Sequence, residues 1–418
     1  MTSRPTEAPA EDVEPRFRPY SAKATEPWEE FAHDRARCPV ARNVELNAVQ
    51  VSTYEDVKAV LAGYQSFSNA SGNVWPLEEP LPIEQQVLGW SDPPRHTRQR
   101  KLLVKALSAS RIEKMRPFTE RLADDLVDKL AERGSFEVYG DFAAPMAAGH
   151  ITELLGIPED EREAYARSAQ EMEELFTATL DGHAEPGYNS DITEWLDHLI
   201  EMVRAKRAAG PGSDDLITQL CFAQVDDDYF EVEEIAACIQ LLNAAGIGTT
   251  IGAIGNTAYL LDRHPDQKAR FLSDIEGLSR SVAAESLRYE PPISGLWRTC
   301  TKPTRLGDVD IEPGEKVFAL ISSGTHDPLI YDRPDEFVIE RDWAHLPADL
   351  AFGQGIHFCV GMNMARLQIQ VAASKLYGRL PNLRIKPGFE PELQAGAVLR
   401  RFTRLELVFD GPALPRTT

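Results

Sequence analysis

The sequence predicts a mainly α-helical fold with a minor β region, and three observations carry that expectation. Apolar residues recur at helical spacing through most of the 418 positions. One proline-free apolar stretch, EVEEIAACIQLLNAAGIGTTIGAIGNTAYLLDRH within 231–265, far exceeds the mean helix length of about 11–12 residues. Strand-like pieces are short and fall in two places, without the strand–helix–strand rhythm of a doubly wound sheet.

The first thirty residues are rich in Pro, Glu and Ala and contain no apolar run, so neither a signal peptide nor a membrane anchor is expected there. Residues 1–15 read as a mobile tail and 16–418 as a single domain. VELNAVQVST (44–53) reads as an early strand. SASRIEKMRPFTERLADDLVDKLAERG (108–134) reads as one helix, with Ser108 as N-cap and Gly134 as stop. The long helix follows and contains Gly246, Gly248, Gly252 and Gly255. Core helices rarely accept four glycines at about 1 kcal/mol each, so a close approach by a ligand is expected. TRLGDVDIEPGEKVFALIS (304–322) reads as a hairpin turning at Pro313-Gly314, and TRLELVFD (403–410) as a late strand.

Composition narrows the function. Hydrophobic residues make up 43% and charged residues 26%, as in ordinary globular enzymes. A net charge of −22 argues against nucleic acid as a partner, because phosphates need a basic face. The five cysteines, Cys38, Cys221, Cys238, Cys300 and Cys359, are widely spaced and form no CxxC pair. That is neither a disulfide framework nor a zinc site, and it suits a reducing cytoplasm.

The most informative stretch is AFGQGIHFCVGMNMAR (351–366), which sets Cys359 among glycines just before a helix. Unsatisfied N–H groups and the helix dipole stabilise a thiolate at such a place. Three readings are open on these residues alone: a structural buried thiol, a thiol nucleophile with His357 as base, or an axial thiolate ligand of haem iron. Elsewhere, ESLR (285–288) places Glu285 and Arg288 one helical turn apart. DEFVIER (335–341) and DPPRHTRQR (92–100) are two further charged stretches.

In that order the pieces closely resemble the cytochrome P450 family, specifically its soluble bacterial members, over nearly the whole chain. FGQGIHFCVG (352–361) matches the family's haem signature, Phe-Gly-x-Gly-x-His-x-Cys-x-Gly, at every specified position. The resemblance implies a haem buried between the long central helix and the cysteine loop, and haem b (iron protoporphyrin IX) as cofactor. Cys359 then corresponds to the proximal thiolate and metal ligand. Phe352, Gly353 and Gly361 would shape its loop, and Ala245 would face the haem. His96, Arg100, Arg298 and His357 match positions that bind the two propionates, buried carboxylates that need such partners. Glu285, Arg288 and Arg341 match the family's structural triad.

One departure stands out. The family's dioxygen stretch reads Ala/Gly-Gly-x-acid-Thr, whereas this chain reads AGIGTT (245–250). Thr249 falls on the family's alcohol, Gly248 falls where the acid stands, and Thr250 follows. The acid normally helps pass protons toward dioxygen, so Thr249 would here depend on water, another polar group or the substrate. Leu241, Ala244, Ser294, Leu296, Val398 and Leu399 match family positions that line the substrate pocket, and Trp75 could add a wall. The loop 66–94 holds no Lys or Arg but holds Glu78, Glu79, Glu84 and Asp92. A small, uncharged organic substrate is therefore expected, since a carboxylate would want a cationic clamp.

Residues 95–116 hold eight Lys or Arg against the single acid Glu113. In the family that helix borders the face where an acidic ferredoxin or flavodoxin docks, and charge would speed that encounter. No GxGxxG fingerprint follows a strand, so electrons are expected from a separate reductase. The reading is a cytoplasmic, membrane-free haem-thiolate monooxygenase using dioxygen. Two alternatives remain: non-monooxygenase haem-thiolate chemistry (peroxide-using, dehydratase or reductase), favoured by Gly248, and a haem sensor.

Overall fold

In this computed structural model the described residues are 14–72, 87–180, 188–225, 228–347 and 349–416. The helices that frame the interior are α1 (Arg95–Ala106), α2 (Arg116–Ala131), α3 (Ala144–Leu155), α4 (Arg162–Leu180), α5 (Tyr188–Ala209), α6 (Val232–Arg263), α7 (Ile275–Tyr289) and α8 (Met362–Arg379). α6 is the 32-residue apolar stretch, opened by a reciprocal capping box between Glu231 and Glu234. It ends just before Pro265, which starts the next helix. Its length and composition would let it cross a bilayer, but here it lies largely buried, in contact with α3, α4, α5, α7 and α8. A helix apolar on most of its circumference belongs in such a place.

The main sheet contains β1 (Val40–Asn43), β2 (Ala48–Val51), β3 (Phe67–Ser68), β4 (Leu296–Cys300) and β5 (Lys316–Ala319), in the order β1-β2-β5-β4-β3. β5 runs parallel to β2, and the other pairs are antiparallel. A separate hairpin joins β6 (Glu392–Ala395) to β7 (Arg400–Arg404). It is tied to the segment before β4, because Ser294 N–H donates to Val398 O at 2.6 Å and Arg400 N–H to Pro292 O at 3.0 Å. The mainly helical expectation holds.

Three local expectations need correction. The helix expected over 108–134 is two, Ala109–Lys114 and α2, broken at Met115. Pro117 has no N–H to give Glu113 O and its ring crowds that carbonyl, which disfavours a continuous helix there, while a helix start tolerates proline. Ser108 makes no side-chain cap. The hairpin of residues 304–311 turns at Gly307 (φ +55°), whereas Pro313-Gly314 (Gly314 φ +90°) makes the following turn into β5. Residues 44–47 form a turn, and only 48–51 of the stretch 44–53 is strand.

Candidate functional site

α6 is buried along most of its middle, yet one face is not. Ala245 is open, and Leu241, Ala244 and Thr249 keep part of their surface, while Ile247, Gly248, Thr250 and Ile251 are buried. Positions 241, 245 and 249 are four apart and share that face. Thr249 Oγ1 donates to Ala245 O at 2.7 Å. Thr250 points away from the open face, as one helical step of about 100° requires.

The cysteine loop forms a second inner wall. Gly353 and Gly355 both have φ +72°, and a Cβ on Gly355 would come within 2.6 Å of Ala62 Cα. Only glycine takes that conformation so close to another backbone. Cys359 N–H donates to Phe352 O at 2.9 Å. The N–H groups of Gly361 and Met362, at the start of α8, donate to the Cys359 sulfur. Phe352 is buried, with the Arg366 guanidinium 5.0 Å from its ring centre.

Cys359 keeps open surface although it lies among dense surroundings. Burial pushes its thiol above the ordinary range, and the two N–H donors and the Arg100 charge only partly offset this. The start of α8 therefore favours the thiolate, as expected from the sequence, against the opposing effect of burial. A bound metal cation would complete the ionisation, since a coordinating thiol is deprotonated outright. Nothing in the geometry supports the nucleophile reading, since neither ring nitrogen of His357 bonds the Cys359 sulfur. Burial, then the Arg298, His96 and Arg100 charges, hold His357 down to about 2.

Beside the loop, the ring centres of His96 and His357 stand 4.2 Å apart. Both nitrogens of each ring are buried and have no hydrogen-bond partner. Arg298 Nε is unpartnered too, and Arg298 is 2% exposed. Burial lowers Arg298 to about 10, and the Asp92 charge offsets only part of this. Burial, helped by Arg100, lowers His96 to about 4. Arg100 itself donates to Phe358 O at 2.6 Å. Orphaned buried donors carry a real cost, so this cluster has the composition of a clamp for a buried dicarboxylate.

The triad is assembled completely. Arg288 Nε and Nη2 each donate to Glu285 at 2.8 Å, and Arg341 Nε donates to the same carboxylate at 2.9 and 3.0 Å. Val338 N–H adds a bond of 2.8 Å. Glu285 and Arg288 have no exposed side-chain surface.

A sequence model of the family described as "Cytochrome P450" matches residues 43–152 and 175–380. The chain belongs to the cytochrome P450 family. It is 34% identical over 351 residues to "Cytochrome P450 107B1" of Saccharopolyspora erythraea, covering 81% of this chain and 84% of that one. It is 31% identical over 367 residues to the same organism's "6-deoxyerythronolide B hydroxylase", covering 84% and 88%. Among solved structures, Cytochrome P450 CYP109Q5 from Chondromyces apiculatus superposes with a TM-score of 0.84 at 27% identity, covering 96% and 99%. This P450 is a monooxygenase with a haem-iron cofactor, and it works with an organic substrate, dioxygen and redox partners. Its unpartnered His96 and His357 rings, the unpartnered Arg298 Nε and its accessible Cys359 fit such a group.

Two other expectations about this P450 change. The four glycines of α6 do not all make room for a ligand. A Cβ on Gly255 would overlap the Tyr139 hydroxyl, and one on Gly252 would meet Arg401 Cβ at 3.0 Å. One on Gly248 would overlap Glu173 Oε1 and stand 2.9 Å from Arg401 Nη1, whereas Gly246 alone of the four has open space. The basic stretch 95–116 is largely neutralised. Arg95 and Arg98 pair with Glu234 at 3.5 and 2.8 Å, Arg111 with Asp214 at 2.9 Å and Arg116 with Glu113, while Arg100 turns inward.

On the substrate side, Leu241, Ala244 and Leu296 keep open surface, whereas Ser294, Val398 and Leu399 are buried. Trp75, Glu78, Glu79 and Glu84 lie outside the described residues. Sequence reasoning missed Glu173 and Arg401. The one available signal was the absent acid at 248, which poses the question of another source.

Proposed function

We propose that this P450 inserts one oxygen atom of dioxygen into a small, uncharged organic molecule, in the cytoplasm, with haem b as its cofactor. The observation that carries the reading is the juxtaposed set of unpartnered His96 and His357 rings and the unpartnered Arg298 Nε beside the Cys359 loop. Haem supplies the activation of dioxygen. Cys359 would hold the iron, with Gly361 and Met362 N–H groups tempering the sulfur. His96, Arg100, Arg298 and His357 would take the propionates, and Phe352 would keep water from the sulfur.

Thr249 stands on the open face of α6, where its hydroxyl can accept one proton while donating another. Leu241, Ala244, Ala245 and Leu296 would pack an apolar substrate and exclude water, with Ser294, Val398 and Leu399 behind them. Glu285, Arg288 and Arg341 would act in folding and loop support. Electrons would come from a separate ferredoxin or flavodoxin and its reductase. Salt bridges from the stretch 95–116 to Glu234 and Asp214 make that docking field weaker than its residue count suggests.

Reduction with dithionite under carbon monoxide tests the ligand assignment. The parent and Cys38→Ser should show the red-shifted Soret band of thiolate-ligated haem, and Cys359→Ser should lose it. Retention of the band in Cys359→Ser would sink the assignment. Substrate-dependent NADH consumption with a surrogate ferredoxin and reductase, with product formed, tests the reaction class.

A further inference from the structure

α6 lacks a carboxylate at Gly248, but the position is not empty of one. Glu173 reaches it from α4, its Oε1 lying where a Cβ of residue 248 would begin and its Cδ 2.7 Å from that point. The carboxylate is 5% exposed and is held by Arg401 of β7, whose Nη1 lies 3.0 Å from Oε1. The same Nη1 donates to Gly248 O at 3.2 Å, which fixes the pair to the α6 backbone one residue before Thr249. A buried carboxylate and guanidinium are costly to desolvate, so their placement at this helix turn asks for a reason. The absence of a side chain at 248 is what admits them.

We propose that Glu173, clamped by Arg401, is the proton-relay acid of this enzyme, supplied from α4 in place of a residue on α6. The inference rests on the monooxygenase reading. The reaction consumes dioxygen, two electrons from the redox partner and two protons; a substrate C–H bond and the O–O bond break, and an alcohol and water form. Glu173 takes a proton from bulk water, passes it to water at the Thr249 hydroxyl, and returns to carboxylate. It is a positioning and relay residue that acts through Thr249, not a group that touches the substrate. Gly248 then gives no support to non-monooxygenase chemistry.

The test uses the full haem-loaded chain with a plant-type ferredoxin and its reductase as surrogate donors, without added substrate. Uptake of dioxygen, peroxide released per NADPH and the rate ratio in light and heavy water are measured. In Glu173→Gln and Glu173→Ala the proton-dependent step should slow about 10²-fold, the low end for a general acid, and peroxide should become the main product. The heavy-water effect should grow. Glu173→Ala/Gly248→Asp, which moves the carboxylate onto α6 in the space vacated, should restore the parent peroxide share, and Glu173→Ala/Gly248→Asn should not. In the haem-free protein, Glu173→Ala should lower the unfolding midpoint and the Asp double variant should recover it.

A merely structural pair would lower that midpoint while leaving peroxide share and heavy-water ratio at parent values, and that result overturns the proposal. If the single variants fail to load haem, equal peroxide shares for the Asp and Asn double variants overturn it as well. A parent that takes up no dioxygen with these donors, even across a panel of small uncharged organic substrates, would instead overturn the monooxygenase reading, and this inference with it.

Discussion

Two glycines two residues apart on α6 should respond to alanine with opposite signs. At Gly246 nothing lies within 4 Å of an added Cβ, so Gly246→Ala gains helix propensity, about 1 kcal/mol. At Gly248 the same gain is opposed by Glu173 Oε1 and Arg401 Nη1. Glu173 ends in a flexible chain and can move, but moving it separates a pair whose side chains are 5% and 12% exposed. Breaking a buried pair costs about 3–5 kcal/mol, so the net loss is about 2–4 kcal/mol. Unfolding entropy of about 2.1 cal/mol/K per residue makes 1 kcal/mol worth about 1 °C in a chain of 418 residues. Thermal unfolding of the haem-free protein should therefore rise by about 1 °C in Gly246→Ala and fall by about 2–4 °C in Gly248→Ala. In a Glu173→Ala background the Gly248→Ala effect should turn stabilising, because the obstruction is gone. A rise in Tm for Gly248→Ala with Glu173 present would refute this account of the α6 glycines.

Glu285→Gln breaks a fully buried carboxylate–diguanidinium contact and should cost about 3–5 kcal/mol, a fall of about 3–6 °C, with faster haem loss in a transfer assay. Lys58→Ala, which removes the exposed pair with Glu55 at 3.3 Å, should leave Tm unchanged within error, and equal effects would refute the burial argument. His96 and His150 are both lowered to about 4 by burial, from 6.5 when unfolded. The unfolded chain then binds more protons below pH 6.5, so stability present above 6.5 is lost as pH falls toward 4. Between pH 7 and 5 the haem-free protein should lose about 2 kcal/mol for each of His96, His150 and the still lower His357 in urea unfolding, and His96→Gln should remove about 2 kcal/mol of the total. An unchanged slope would refute the assignment of His96 as a buried neutral group.

Much of the site was legible because its chemistry is local in sequence. The cysteine loop needs two left-handed glycines, a helix start and a sulfur within ten residues, so FGQGIHFCVG carries them as a string. Glu285 and Arg288 meet because one helical turn brings them together, and the 32-residue helix follows from its unbroken apolar run. What stayed hidden depends on distant partners. Glu173 and Arg401 are 228 positions apart, and no periodicity links either to Gly248. Arg98 reads as a surface cation until Asp228 and Glu234 arrive from 130 and 136 residues away. The glycines of α6 suggested a ligand because sequence shows that room is made, not what fills it.

The triad's guanidinium groups also bear on how such a chain can change over generations. Arg288 donates to the carbonyls of Thr325, Pro334 and Glu336, and Arg341 to those of Asp332, Arg333 and Glu336. Those acceptors are peptide oxygens, present whatever side chain each position carries. The exposed positions between 325 and 336, among them Pro328, Leu329, Asp332 and Arg333, can therefore drift while the path stays pinned, provided the two arginines and Glu285 remain. Buried His326, Asp327 and Tyr331 are held by contacts of their own. Natural variation should concentrate in those exposed side chains and spare the segment's length, because an inserted residue would move carbonyls out of register with two fixed donors.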